Sequence, residues 1–159
     1  MQQKLQQSIT FKEALRKMEH YCVYQDRCHK DVEDKLFTMK LIPEAKEKVI
    51  LHLIEHNFLN EERFAKSYAR GKFAIKKWGK QRITLELKKK NISAYLIKIA
   101  LKEIDSQDYI NKFHELAENR NALISETNVY KKRKKLIAYL QYRGWESDLI
   151  FDKVKELNP

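Results

Sequence analysis

The spacing of His52, Glu55 and His56 is the one match in the chain to a catalytic motif. On a helix, an H-x-x-E-H pattern places two imidazoles and a carboxylate close together, as in a class of zinc peptidases that holds its metal this way. Leu53, however, belongs to an apolar stripe between the two histidines, so half-exposed packing positions explain them equally well. The sequence contains no phosphate-binding Gly-rich loop, no G-x-S-x-G motif and no Cys-His nucleophile pair. We therefore expect a binding protein and not an enzyme.

Cys22 and Cys28 are the only cysteines, and a metal site built on them would have to include His20 and His29. Structural zinc sites usually supply their cysteines as closely spaced C-x-x-C pairs, whereas positions six apart on a helix point to opposite sides. We therefore expect packed or half-exposed thiols in a reducing compartment. The sequence predicts no metal ligands and no cofactor.

A basic segment from Arg70 to Ile92 contains the strongest signal for function. Nine of its residues are Lys or Arg, only Glu86 is acidic, and Phe73 and Trp78 lie within the run. Solvated helix faces usually carry both signs of charge, so this segment predicts an anionic partner such as nucleic acid or an acidic protein. The candidate binding residues in and beside it are Lys66, Arg70, Phe73, Lys76, Lys77, Trp78, Lys80 and Arg82.

Helical spacing arranges these residues, and a second set, into two stripes of cations and aromatic rings. The first stripe consists of Lys66, Arg70, Phe73 and Lys77, and it lies opposite a predicted core stripe of Phe64, Tyr68 and Ile75. The second consists of Lys131, Lys135, Ala138 and Tyr142, and Arg143 follows it. Cations around an aromatic ring suit phosphate contact with base stacking, or an acidic protein groove with an aromatic anchor.

Composition limits both the fold and the class of partner. The 159-residue chain is 43% hydrophobic and 35% charged, with a net charge of +11 and only 3 glycines and 2 prolines. So few turn-forming residues disfavour a sheet, and we predict an all-α protein. No apolar run reaches the roughly 18 residues that span a bilayer, and the initial MQQKLQQ lacks the apolar segment of a signal peptide. We expect a cytoplasmic protein that does not bind membranes, because its apolar helix faces are needed for the core.

Caps and apolar periodicity predict about nine helices. Thr10 and Glu13 form a capping box for the first, and Pro43 suits the first turn of the third. Residues 121–127 are the least periodic segment, which we interpret as a loop. Further helices are predicted to start at or near Asn60, Gly79, Ser93, Asp105, Asn128 and Ser147.

These helices fall into three groups of three. Caps, core residues and turns recur in register with a period of about 45 to 50 residues, which indicates tandem three-helix repeats. The predicted repeats span residues 8–58, 59–104 and 105–159 and form an elongated, curved array. An alternative for the stripes follows from this arrangement: Phe73 and Tyr142 pack against the neighbouring repeat, and Arg82 pairs with Glu86.

With the repeats in place, three segments resemble the RecX family of bacterial regulatory proteins. They are residues 58–70, with the run F-L-N-E-E-R-F-A; residues 78–92, beginning W-G-K-Q-R-I; and residues 135–150, which contain R-G-W. The matched motif positions are Arg70, Gly79, Arg82, Arg143 and Gly144, and we assign the two glycines to turns. Asn91 stands where the family often has Gly, and because Asn tolerates left-handed backbone geometry this turn should still form.

The resemblance implies three tandem three-helix repeats and a role in modulating the RecA recombinase. Such a protein binds the RecA filament on DNA, within its helical groove, and restrains ATPase and strand exchange in recombination, DNA repair and the SOS response. We expect a monomer with weak or non-specific affinity for single- and double-stranded DNA. The alternative is a freestanding helix-turn-helix nucleic-acid binder with Asn91 in the turn, although the helix after Ser93 has few side chains suited to base edges.

Overall fold

The computed structural model describes residues 8–159, and within that range it contains helices and no strand. The helices of the described residues are α1 (Phe11–Tyr24), α2 (His29–Phe37), α3 (Pro43–Glu55), α4 (Glu61–Lys76), α5 (Lys80–Lys89), α6 (Ala94–Leu101), α7 (Ser106–Leu123), α8 (Val129–Tyr142) and α9 (Ser147–Leu157). The predicted all-α fold with nine helices is therefore confirmed for this part of the chain. None of these helices is long and apolar enough to cross a membrane. The prediction that the chain starts without a signal peptide falls on residues 1–7, which lie outside the described range.

Local sequence sets where most of the helices begin. The Thr10 hydroxyl accepts a hydrogen bond from the Glu13 N–H, and the Glu13 carboxylate accepts one from the Thr10 N–H, which is the predicted capping box. Pro43 occupies the first turn of α3. The other side chains that cap as predicted are Asn60, Ser93, Asp105 and Asn128.

One predicted cap and one predicted boundary were wrong. The N-cap of α9 is Glu146 and not Ser147, and its carboxylate does not cap the helix because the Tyr109 hydroxyl donates to it. Helix α7 continues to Leu123, so the first residues of the predicted loop are helical and the connection to α8 is shorter than expected.

The predicted core stripe of α4 was wrong at Ile75, which is 78% exposed. The buried side of this helix instead runs through Ala65 and Ala69, and the half-buried Phe73 continues it four residues later. The small side chains of Ala65 and Ala69 let neighbouring helices approach this side of α4 closely. The buried face was therefore decided by close helix packing and not by the position of the larger apolar residue Ile75. Phe73 therefore lies on the inner side of α4 and not opposite it.

The chain divides into two compact units, and the boundary between Phe64 and Ala65 falls within α4. The core of the first unit consists of Met18, Cys22, Val32, Leu36, Val49, Leu53 and Leu59. Arg63 donates hydrogen bonds to the Asp26 carboxylate (2.8 Å) and to the carbonyls of Asn57 (3.0 Å) and Phe58 (3.1 Å). It thereby satisfies carbonyl groups of the turn that follows α3. The three repeat boundaries within these units stay a prediction.

The core of the second unit is built around Trp145 and Phe113, both fully buried. Lys153 is also buried, at 4% exposure, and its ammonium donates to Glu118 (2.8 Å) and Glu156 (3.2 Å). Burial alone would lower the pKa of Lys153, but the two carboxylates outweigh it and the pKa lies above its ordinary value. The charge is therefore retained inside the unit by its partners.

Candidate interaction surface

The backbones at Gly79 and Gly144 meet directly in the second unit. The Gly79 N–H donates to the Arg143 carbonyl (2.8 Å), and the Gln81 N–H donates to the Gly144 carbonyl (3.1 Å). A Cβ on Gly79 would lie 2.3 Å from the Gly144 carbonyl oxygen, and a Cβ on Gly144, whose φ is 87°, would lie 2.2 Å from the Arg82 Cβ. Only glycine fits at either position. The start of α5 is thereby fixed against the connection between α8 and α9.

Side chains after α8 close the end of α4. Arg143 Nη1 donates to the Lys76 carbonyl (2.9 Å), and Trp145 Nε1 donates to the Lys77 carbonyl (3.1 Å). The last carbonyls of a helix have no partner within it, so these two bonds satisfy groups that would otherwise need water. Lys77 has a φ of 57°, which turns the chain away from the helix axis toward Trp78.

Tyr109 connects α5, α7 and the start of α9. Its hydroxyl accepts a hydrogen bond from the Lys80 N–H (2.9 Å) and donates to Glu146 Oε2 (2.7 Å). Burial raises the pKa of the Tyr109 hydroxyl far above its ordinary value; the Lys80 N–H opposes this rise and Glu146 reinforces it. The ring also packs 4.5 Å from Trp145, centroid to centroid. The bond to Glu146 is thus a fixed structural contact at neutral pH.

On the surface of the second unit, five side chains form an alternating series that we name the cation–aromatic row: Tyr68, Lys72, Trp78, Arg82 and Tyr142. Lys72 Nζ lies 5.3 Å from the Tyr68 ring centroid and 5.2 Å from that of Trp78. Arg82 Cζ lies 4.7 Å from the ring centroids of both Trp78 and Tyr142. Its Nη1 also donates to the Tyr142 carbonyl (2.8 Å). Lys72 therefore lies between two rings that are close in sequence, whereas Arg82 joins two rings that are distant in sequence.

The cation–aromatic row borders two depressions and several exposed apolar side chains. One cleft of about 410 Å³ lies between Arg82, Leu85 and Tyr142, and a smaller one of about 210 Å³ lies between Tyr68, Lys72 and Ile75. Tyr142 is 74% exposed, Leu85 52% and Ile75 78%. Exposed aromatic and aliphatic side chains next to cations are typical of protein interaction surfaces.

The structure places the first predicted stripe differently from the expectation. Lys66 and Arg70 both lie near the carboxylate of Glu103, at 3.7 and 3.3 Å, so the two cations share one ion-pair partner. The Phe73 ring packs 5.8 Å from Tyr109 and contacts Trp145, as the alternative interpretation expected. Lys76, the last residue of α4, is exposed, whereas Lys77 and Lys80 are half-buried.

The second predicted stripe does lie on the outer face of α8. Lys131, Lys135 and Tyr142 are all exposed, and Lys135 pairs with Glu126 at 3.3 Å. Arg82, for which pairing with Glu86 was the alternative, makes that contact at 3.4 Å and stacks on two rings as well. The structure therefore joins Trp78 and Arg82 with Tyr142 in one surface, whereas Lys66, Arg70 and Phe73 have other contacts.

The histidine motif of the first unit has ordinary structural contacts. His52 Nε2 lies 2.6 Å from the Glu19 carboxylate, and His56 Nδ1 lies 2.9 Å from the His52 carbonyl. Cys22 and Cys28 are buried, and burial raises the pKa of the Cys22 thiol, against the opposing effect of Arg27 and Arg63. Within residues 8–159, no cluster of three His, Cys, Asp or Glu side chains is positioned to bind a metal ion.

Two family models match the second and third groups of helices. The model described as "RecX, second three-helix domain" matches residues 60–101, and "RecX, third three-helix domain" matches residues 107–154. The chain belongs to the RecX family. Gly79 lies in the first matched segment and Gly144 in the second, so the contacts between them are formed between two recognised RecX domains.

Similar proteins support the same family and fold. A "Regulatory protein RecX" of Clostridium botulinum is 32% identical over 132 residues, which are 82% of this chain and 61% of the relative. Its counterpart in Lactobacillus johnsonii is 25% identical over 147 residues, which are 92% of this chain and 54% of the relative. The crystal structure of RecX from Lactobacillus salivarius superposes with a TM-score of 0.74 at 28% identity, covering 92% of this chain and 96% of that one. The chain thus spans little more than half the length of these two sequence relatives.

Several residues of this RecX surface were not identified from the sequence. Tyr109 and Trp145 were not among the predicted site residues, and neither were Glu103 and Glu146, which bind Arg70 and Tyr109. Tyr68 and Lys72 also escaped notice as members of the row. The contact between Arg82 and the Tyr142 ring joins positions 60 residues apart, so helical spacing contains no signal for it. Trp78, Arg82 and Tyr142 were each predicted as binding residues, but nothing in the sequence indicated that they meet.

Proposed function

We propose that this chain is a non-catalytic regulator that binds the RecA filament on DNA and restrains its ATPase and strand-exchange activity. Two findings support the proposal: the family of the chain, whose relatives are named regulatory proteins, and the cation–aromatic row. We further propose that the protein acts as a monomer in the cytoplasm. The observation that carries the proposal is the exposed Tyr142 ring held against Arg82.

The chemistry of the row favours a protein partner over nucleic acid alone. Ile75 and Leu85 are exposed beside it, and phosphates have no favourable contact with aliphatic side chains. An acidic protein groove with apolar pockets can bind both kinds of side chain at once. Aromatic rings and arginine at the centre of a patch, with lysines around them, are the composition expected of an interaction hot spot.

The row is also held in place before any partner binds. Arg82 is fixed by its bond to the Tyr142 carbonyl, and Gly79 and Gly144 fix the backbones on which both residues lie. A surface that is already ordered loses less conformational entropy on binding. The net charge of +11 then steers the chain toward a filament that carries DNA phosphates. A chain bound across neighbouring protomers would block the rearrangements that ATP hydrolysis and strand exchange need.

The experiment is a titration of the chain into RecA filaments assembled on single-stranded DNA, with ATPase rate and co-sedimentation as readouts. The informative variant is Lys76→Glu/Lys77→Glu, since both lysines adjoin the row. The matched control is Lys48→Glu/Lys155→Glu, which changes net charge equally at exposed positions outside the row. We expect the first variant to lose inhibition by tenfold or more in concentration, about 1.4 kcal/mol, and the control to stay near the parent.

Absence of inhibition and of co-sedimentation for the parent chain would rule the proposal out. An equal loss in both variants would show that only net charge matters.

The helix-turn-helix alternative places α6 in a DNA groove, after the turn at Asn91, whose φ is 60°. Its outward-facing residues include Tyr95 and Lys98, of which only Lys98 is a common hydrogen-bond donor to base edges. Tight, sequence-dependent binding to DNA alone would favour that alternative.

A further inference from the structure

The first unit contains a basic cleft that neither family model covers, since the matched segments begin at residue 60. The cleft has a volume of about 600 Å³ and lies between α1 and α2. Its described lining consists of Arg16, Lys17, His20, Tyr21, Tyr24, Arg27 and Lys35, without an acidic side chain. From this arrangement we infer that the first unit binds single-stranded nucleic acid.

The cations of the cleft are not neutralised by the carboxylates of their own unit. Arg16 and Lys17 form no ion pair with any described residue, and the nearby acids of α1 have other contacts. Glu13 accepts from the Thr10 N–H, and Glu19 lies against His52. Elsewhere in the unit, Asp26 pairs with Arg63 and Asp34 pairs with Lys30. Excess positive charge therefore collects in this cleft, which suits a phosphodiester backbone.

Aromatic side chains supply the second half of the proposed site. Arg27 Cζ lies 3.7 Å from the Tyr21 ring centroid, and Arg27 Nε donates to the Tyr21 carbonyl (3.0 Å), so this guanidinium is fixed at the wall of the cleft. Tyr24 is 77% exposed, so its ring is accessible to a base. Cations that bind phosphates beside an exposed ring that stacks on a base are the two components of single-strand binding.

The extent of the cleft favours a polymer over a single nucleotide. A second cleft of about 440 Å³ shares Lys17 and Lys35 with the first and continues toward Thr38. Its described lining also contains no acidic side chain. Two adjoining clefts that share their lysines form a continuous track, along which successive phosphates of one strand can bind.

The test is fluorescence anisotropy of the full-length chain with a labelled thymidine oligonucleotide at several salt concentrations. We expect Arg16→Glu/Lys17→Glu to weaken binding by tenfold or more. The slope of log K against log salt should fall by about 1.4, the value for two lost phosphate contacts on a single strand. Tyr24→Ala should weaken binding by about tenfold with an unchanged slope, since it removes stacking and no charge. Lys48→Glu/Lys155→Glu is the charge-matched control and should change affinity by less than about threefold.

The inference is overturned if the Arg16 and Lys17 variant binds like the parent, or if the control loses as much affinity. Competition by thymidine monophosphate at the same concentration of phosphate as the oligonucleotide would show a small-anion site and not a strand site. Binding to phosphatidylserine vesicles that Arg16→Glu/Lys17→Glu abolishes, without oligonucleotide binding, would show a membrane surface instead. The assay contains no recombinase, so its failure leaves the proposed filament binding untouched, and the reverse also holds.

Discussion

Gly79 and Gly144 lie so close that a Cβ built on Gly79 would fall 2.3 Å from the Gly144 carbonyl oxygen. The contact joins two backbones, which cannot move apart as a flexible side chain can. It also brings Arg82 next to Gly144 and beneath the ring of Tyr142. The geometry of the cation–aromatic row therefore depends on two residues that have no side chain.

Substitution of Gly79 by alanine should destabilise the protein. The added methyl group forces the two backbones apart and weakens the Gly79 N–H bond to Arg143, so we expect a loss of about 2 kcal/mol or more in the free energy of unfolding. Urea denaturation followed by circular dichroism measures it. Gly71→Ala is the matched control, because nothing lies within 4 Å of a Cβ there. Inside a helix it should stabilise by up to about 1 kcal/mol. Equal effects of both variants would contradict the packing argument.

Arg82→Ala should affect both stability and partner binding. It removes the hydrogen bond to the Tyr142 carbonyl and the cation between Trp78 and Tyr142. We expect a loss of about 1–2 kcal/mol in the free energy of unfolding. An Arg82→Ala protein as stable as the parent would show that these contacts do not stabilise the fold.

In contrast, Lys76→Glu/Lys77→Glu should leave the melting temperature nearly unchanged while binding to the filament falls. Lys80 is unsuitable for such a charge reversal, because its ammonium lies 4.7 Å from the Tyr109 ring.

Tyr109→Phe should destabilise the protein at neutral pH and reduce its sensitivity to alkali. The variant leaves the Lys80 N–H and the Glu146 carboxylate without their partner, at a cost of about 1–2 kcal/mol. The pKa of Tyr109 is raised in the folded state, so the hydroxyl ionises in the unfolded chain first, and stability falls as pH rises above about 10. Unfolding free energies at pH 7 and pH 10.5 measure both effects. If the gap between parent and variant does not narrow at pH 10.5, Tyr109 is not the responsible group.

Removal of the Lys153 ammonium and removal of its two carboxylate partners should destabilise the protein by different amounts. Lys153→Met replaces a buried ammonium by an apolar side chain of similar shape and leaves Glu118 and Glu156 exposed to water, so stability should hardly change. Glu118→Gln/Glu156→Gln leaves the ammonium buried without its partners and should destabilise more. Thermal unfolding of both variants at pH 7 compares them. A larger loss for Lys153→Met would show that the ion pairs themselves stabilise the fold.

The raised pKa of Lys153 also predicts that the protein becomes less stable in alkali. The stabilisation that comes from its protonation is complete below the ordinary lysine pKa and is lost as the pH rises through the pKa of the folded state.

Local sequence was sufficient for most of the secondary structure. Thr10 with Glu13, and Asp105 with the N–H groups of its first turn, form caps through side chains three residues away or fewer, so the chain itself contains the partners. Val32 with Leu36, and Leu136 with Leu140, are buried as their spacing of four predicts. The local rule failed at Glu146, whose carboxylate accepts a hydrogen bond from the distant Tyr109 hydroxyl and does not cap α9.

Sequence by itself determined the all-helical fold, the family and the concentration of positive charge, because caps, helical periodicity and composition are properties of neighbouring residues. Only the tertiary structure decided which side of α4 is buried, which cations form ion pairs, and that Arg82 lies between Trp78 and Tyr142. Those outcomes depend on backbone approach and on contacts across 60 residues, such as the Arg82 bond to the Tyr142 carbonyl. Helical spacing describes one element at a time, and it contains no information about which elements meet.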